Sequence, residues 1–266
     1  MGGKPKIKKQ KLGNYFDMNI LTIKNLNVQA EGKKIISNLS LTIKAGELQV
    51  IMGPNGSGKS SLAQALIGNP EFNVSGTAKL AGKDLLKLKP EERAKAGLFL
   101  AWQYPKEIDG VRVSTFLKAS YEALKRARNK NFQPLLMLQF RQLVLPLFKQ
   151  VGLKEDFFDR YLNQRFSGGE KKKLEIIQLL LLQPRVIILD EIDSGLDIDA
   201  LKSVGKAIHS MRQKDRGIIV ITHYDRILKY LKPDCYAIMH QGKLVKTGGA
   251  ELLRQIEKRG YESFSK

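Results

Sequence analysis

An α/β fold built on a largely parallel sheet, with a block of helices inserted near its middle, is what this sequence predicts. Three observations carry the expectation. Strand and helix patterns alternate after Pro184, a helix-rich texture runs from 114 to 182, and a glycine-rich turn joins an early apolar strand to a helix.

Taken in order, residues 20–28 and 39–43 alternate apolar with polar side chains and read as half-buried strands, while 47–52 is a more continuous apolar run ending at Gly53. Helical spacing follows over 59–67 and stops at Gly68; strands are expected at 74–81 and 98–101. The middle block predicts helices over 115–127, 135–151 and 171–182 with almost no strand signal. Strand patterns return at 186–190, 217–222 and 235–240, separated by a helix over about 199–211. The chain has no internal repeat, and its low-complexity character is confined to the basic start.

Composition narrows the function classes. Of 266 residues, 42% are apolar and 27% charged, the balance of a folded globular chain of ample core size. Uncharged stretches such as 131–140 and 176–184 fall short of the roughly 18 residues a spanning helix needs, so no membrane insertion is expected. A single cysteine, Cys235, excludes an internal disulfide and a cysteine-cluster metal site, and fits a reducing compartment. The 46 Lys and Arg against 26 Asp and Glu give a formal charge of +20, a field that attracts acidic partners. Residues 1–18 carry Lys4, Lys6, Lys8, Lys9 and Lys11 without an apolar segment, and read as a basic arm without fixed structure rather than a secretory signal.

The sharpest chemical signal is Gly53-Pro54-Asn55-Gly56-Ser57-Gly58-Lys59-Ser60, which matches G-x-x-x-x-G-K-[ST] between a strand and a helix. Glycines let successive N–H groups turn inward as an anion nest, and the helix that follows adds its positive end. Lys59 would reach the β and γ phosphates, and the Ser60 hydroxyl would ligate Mg²⁺.

Residues 186–189 are an apolar strand running into Asp190 and Glu191, at the carboxyl edge where parallel sheets bind ligands. Asp190 suits a fixed charge on Mg²⁺. Glu191, one residue on, would point to the other side of the strand, toward the γ phosphate, and position or deprotonate a water. Hydrolysis is the implied reaction.

A third element is Phe166-Ser167-Gly168-Gly169-Glu170 at the start of a helix, where Ser167 can cap and the glycines leave N–H groups open to a second phosphate. With the phosphate loop and the Asp190-Glu191 pair, this set resembles the signature of ABC-type ATPases, whose usual form begins with Leu and ends with Gln.

The resemblance, over about 20–262, implies a RecA-like core with an N-terminal antiparallel β subdomain and an inserted α-helical subdomain at about 104–182, all within one ATPase domain spanning 19–262. It implies ATP and Mg²⁺ as cofactors, held by the loop residues 53–60 with Ser61. It implies that Ser167, Gly168 and Gly169 complete the site of a partner protomer in an ATP-dependent head-to-tail dimer. Gln103 falls at the glutamine loop, as a catalytic residue and Mg²⁺ contact; Ser194-Gly195-Leu196-Asp197 falls at the loop crossing the dimer interface, and His223 at the histidine that meets the γ phosphate. The stretch 28–33 lacks the aromatic residue that many members place there against adenine.

Within the family, the run Glu191-Ile192-Asp193-Ser194-Gly195-Leu196-Asp197-Ile198-Asp199-Ala200-Leu201 is similar to the SufC group, soluble ATPases of the SUF iron–sulfur assembly system. Most transporter ATPases have Pro or Ala in place of Ile192 and Asp193. That likeness implies SufB and SufD scaffold proteins as partners, and a cytoplasmic or plastid-stromal location. A transporter subunit and a nucleic-acid-associated ATPase share the nucleotide residues. Lysine-rich patches in a chain only 8% aromatic lack stacking platforms, so nucleic acid is not the expected partner. Lys171, Lys172 and Lys173, with Lys125, Arg126, Arg128 and Lys130, read either as solvated helix faces or as a dock for an acidic partner.

Overall fold

The computed structural model describes residues 19–223 and 226–264; the basic arm expected over 1–18 lies outside them. The chain opens with β1 (Asn19–Ala30) and β2 (Lys33–Lys44), paired antiparallel. Glu31 and Gly32 join them with φ of 49° and 73°, the double left-handed turn whose twist matches a two-residue hairpin. β3 (Leu48–Met52) then leads through the glycine loop into α1 (Lys59–Ile67). β4 (Asn73–Leu80) returns to pair with the free edge of β1, and β5 (Lys83–Asp84) folds back on β4. Among the described residues this sheet has the order β2-β1-β4-β5.

α2 (Pro90–Ala96) precedes β6 (Leu98–Ala101). Then come α3 (Val113–Arg128), α4 (Met137–Val151) and α5 (Gly168–Leu182), before β7 (Val186–Asp190), α6 (Ile198–Ser210) and β8 (Gly217–Ile221). The chain closes with α7 (Leu228–Leu231), β9 (Cys235–His240), β10 (Lys243–Gly248) and α8 (Glu251–Arg259). The second sheet runs β10-β9-β3-β8-β7-β6, parallel throughout except for β10 at its edge. The α/β class with an antiparallel sheet and inserted helices is therefore the architecture seen.

Every residue of β3, β7 and β8 is buried, as strands covered on both faces require. Their pleat divides them between two cores. Val50, Leu189 and Val220 face the layer of α4, α5 and α6, while Ile51, Ile188 and Ile221 face α1 and the antiparallel sheet. In α4 the buried residues Phe140, Val144, Phe148 and Val151 form one stripe, and Phe140 and Phe148 each pack about 6.3 Å from Phe158. Phe166, which stands where the family usually has Leu, meets Phe157 edge-on with ring centres 4.6 Å apart.

The sheet reaches further than its apolar alternation indicates. β2 extends back to Lys33 through Ile35 and Ile36, which stand side by side rather than alternating, and β10 pairs with β9 although none of its residues is buried. The turn between β9 and β10 holds Gly242 at φ 72°, where a Cβ would stand 2.1 Å from Ile35 O, so this glycine also lets the edge hairpin lie against β2.

Candidate active site

The site is assembled at the carboxyl ends of β3, β6, β7 and β8. Gly53 ends β3 against the backbone of β9, where a Cβ would meet Met239 O at 2.1 Å. Gly58 stands at the N-terminus of α1 with φ 99°, and no side chain caps that helix. Its N–H groups are thus left to an anion. Lys59 folds back over the loop and is 5% exposed. Its Nζ donates to Gly53 O and Pro54 O at 2.9 Å and to Ser57 Oγ at 3.4 Å. Burial pulls the Lys59 pKa down, against the attraction of Glu191 and Asp190. A buried ammonium ringed by neutral oxygens gains strongly from a phosphate.

Ser60 donates its hydroxyl to Asp190 Oδ1 at 3.1 Å. Asp190 is 3% exposed, and burial raises its pKa to about 6, opposed by the Ser60 bond. A hydroxyl and a carboxylate converging on one point suit a hard cation whose remaining positions are filled by phosphate oxygens and water. Among the described residues no three of His, Cys, Asp and Glu gather as metal ligands; Ser60 and Asp190 are the pair that would hold Mg²⁺.

Glu191 corrects one expectation. It lies just past β7 with φ 47°, so a left-handed backbone rather than the alternation of a strand sets its direction. Its N–H still donates to Ile221 O at 2.9 Å. The carboxylate accepts from Gln103 Nε2 at 2.5 Å and faces His223 Nε2 at 3.2 Å. Burial and the nearby Lys59 hold the His223 pKa below its ordinary value, which favours the neutral ring.

Ser167 caps α5 in a reciprocal box. It accepts from Glu170 N–H at 3.3 Å, while its own N–H and hydroxyl donate to Glu170 Oε2 at 2.8 and 2.9 Å. Thus Glu170 in place of the usual Gln retains a capping role. A Cβ on Gly168 would meet nothing within 4 Å, so a ligand can approach the backbone there; Gly169 lies beside Leu196 and Gly195. The structure gathers Lys59, Ser60, Gln103, Asp190, Glu191 and His223 into one hydrogen-bonded and electrostatic cluster, while Ser167 bonds within its own helical turn.

Two further groups of residues stand beside this cluster, and the second departs from its sequence reading. Asp193 is 4% exposed, and Thr222 Oγ1 lies 3.1 Å from both of its oxygens, pinning the segment after Glu191 to the end of β8. Lys172 is no surface residue: it is 3% exposed and donates to Trp102 O at 2.5 Å. Its neighbours are engaged too, Lys171 with Glu107 at 3.0 Å and Lys173 with Gly152 O at 3.0 Å. Of the run behind the signature only Lys172 is internal, while Lys171 and Lys173 make their contacts at the surface.

A phosphate loop, a strand-end carboxylate pair and a buried lysine define a P-loop nucleoside triphosphatase. The ABC transporter family model matches residues 36–194. Vegetative protein 296 of Bacillus subtilis (strain 168) is 47% identical over 243 residues, covering 91% of this chain and 92% of that one. A probable ABC transporter ATP-binding protein of Streptococcus pyogenes serotype M3 is 47% identical over 252 residues, 93% and 96% of the two chains. The dimeric post-hydrolysis structure of the ATP-binding cassette MJ0796 with ADP and Pi superposes with a TM-score of 0.73 at 20% identity, over 86% of this chain and 98% of that one. The chain belongs to the ABC ATPase family. It is an ATPase that takes ATP and Mg²⁺. Among the described residues no helix is long and apolar enough to cross a membrane.

Proposed function

We propose that this chain is a SufC-type ATPase. In this reading it closes on ATP as a head-to-tail homodimer in the cytoplasm or plastid stroma and drives a conformational change in SufB/SufD-type scaffold proteins during iron–sulfur cluster assembly. The observation that carries it is the segment after the catalytic acid. Ile192 is fully buried and Asp193 is held by Thr222, so the two residues that depart from the transporter pattern are built into the core beside the site.

Each site residue has a role in this reading. The backbone of 53–58 and Lys59 hold the phosphates, with Ser61 following on α1. Ser60 and Asp190 hold Mg²⁺, which when bound offsets charge on the phosphates, and the Gln103 amide oxygen is the atom left to face it. Glu191 takes the proton of the attacking water. His223, neutral because of burial and Lys59, donates from its ring toward the γ phosphate. Ser167, Gly168 and Gly169 meet the nucleotide of the other protomer.

A second reading, the ATP-binding subunit of a membrane transporter, is favoured by the name of the Streptococcus pyogenes relative. Affinity capture with an ATP-trapped E191Q chain separates the two. Soluble SufB and SufD partners are expected; recovery of a multi-span membrane protein instead overturns the first reading.

A further inference from the structure

Gln103 reaches Glu191 from a loop, and a loop residue holds a catalytic carboxylate only as well as its own backbone is held. At Ala101 the chain leaves β6, so from Trp102 onward the sheet ladder no longer fixes it. Two side chains from α5 take over. Trp102 N–H donates to Glu175 Oε1 at 2.8 Å, and Lys172 Nζ donates to Trp102 O at 2.5 Å. Both backbone polar groups of the residue before Gln103 are thus held by one face of one helix.

Stability does not account for this pair. Lys172 is 3% and Glu175 4% exposed, and Glu175 Oε2 has no hydrogen-bond partner. Burial raises the Glu175 pKa to about 8 against the attraction of Lys172, and lowers that of Lys172. Two buried ionisable groups with an unsatisfied oxygen are a poor substitute, energetically, for two apolar side chains of the same size. Neither group hydrogen-bonds to the residues of the nucleotide site, although the Lys172 charge acts at a distance on Asp190 and Glu191.

We propose that Lys172 and Glu175 form a backbone clamp on Trp102 that sets Gln103 against Glu191, which makes them positioning residues for hydrolysis. The inference rests on the reading of Gln103 and Glu191 given above, and its test separates the two. Trp102 is the only tryptophan in the chain and is 40% exposed, so its fluorescence reports the loop without reference to activity.

In the full chain, K172M/E175M is expected to unfold cooperatively at a urea midpoint equal to or above that of the unaltered protein, with Trp102 emission shifted to the red. Its kcat should fall about ten- to a hundredfold, the effect of misplacing a catalytic group by about an ångström, with KM for ATP within threefold. E175Q, which keeps an oxygen for the Trp102 N–H, should restore both emission and kcat to within threefold. A folded double variant with unaltered emission overturns the clamp. Shifted emission with unaltered kcat overturns the positioning role, while Q103A tests the reading of Gln103 on its own: its kcat should fall at least about tenfold with Trp102 emission unaltered, and an unaltered kcat removes Gln103 from the reaction. Amide exchange at Trp102 in the unaltered protein gives a reading that needs no variant: protection of at least about a hundredfold is expected, and exchange at the rate of a free loop amide overturns the clamp.

Discussion

Replacing Glu191 by Gln removes one negative charge and very little geometry. The backbone anchor, Glu191 N–H to Ile221 O at 2.9 Å, does not involve the side chain. An amide of the same shape keeps an acceptor oxygen for Gln103 Nε2, which now stands 2.5 Å from the carboxylate. What the amide cannot do is take a proton from water. A positioned general base contributes about 10²–10⁴ in rate, equivalent to about 2.7–5.4 kcal/mol of barrier. Binding moves the other way. Glu191 is among the charges that act on Lys59, and removing a negative charge beside a site that receives a polyanion favours ATP. The expected outcome is a kcat lower by at least about a hundredfold with ATP affinity unchanged or tighter. Single-turnover phosphate release, paired with retention of labelled ATP on gel filtration, reads both quantities. A kcat within threefold of the unaltered protein refutes the assignment of Glu191 as base, and loss of ATP binding in the same variant refutes the claim that the site's geometry survives.

K59A should weaken ATP binding by at least about a hundredfold, because the buried ammonium is the charge that phosphate oxygens meet; near-normal affinity by calorimetry would contradict that. R93M should lower the unfolding free energy by about 3 kcal/mol, since Arg93 donates to Ala65 O, Leu66 O and Leu88 O at 2.8–2.9 Å and closes the end of α1. A urea titration that finds a loss under about 1 kcal/mol argues against it. Glu175 adds a pH dependence. Its pKa is raised from 4.5 to about 8 on folding, so its contribution is fully present below pH 4.5 and is lost as pH rises toward 8. The stability of the unaltered protein relative to E175Q should therefore fall across that window by up to about 1.4 kcal/mol per pH unit; a flat difference excludes the raised pKa.

The phosphate loop is legible because few residues can do its work. Backbone N–H groups can converge on a polyanion only where glycines permit the turn, and the lysine must follow at the first turn of the helix. The strands β3, β7 and β8 are legible for a related reason, since a strand buried on both faces must be apolar at every position or nearly so. β10 and α2 are not, because their residues are mostly exposed and carry no apolar period: β10 buries none of its residues, and α2 buries only Arg93.

The direction of Glu191 was beyond the reach of pattern. A glutamate with φ of 47° has no signal in composition, because the left-handed backbone is imposed by the contacts around it: its N–H on β8 and its carboxylate between Gln103 and His223. Lys172 shows the same limit, yet with a trace left behind. Three lysines in a row at the start of a helix look solvated, and whether the middle one is buried depends on how α5 packs beside β6. The trace is Glu175, a carboxylate set among Leu174, Ile176 and Ile177, three residues from Lys172 and so on the same face. An acid inside an apolar run has to be matched by a donor within reach, and at i−3 the run of lysines supplies a cation. Burial of that pair was therefore readable from its spacing; what it grips, the backbone of Trp102, was not, since that contact joins residues 73 positions apart.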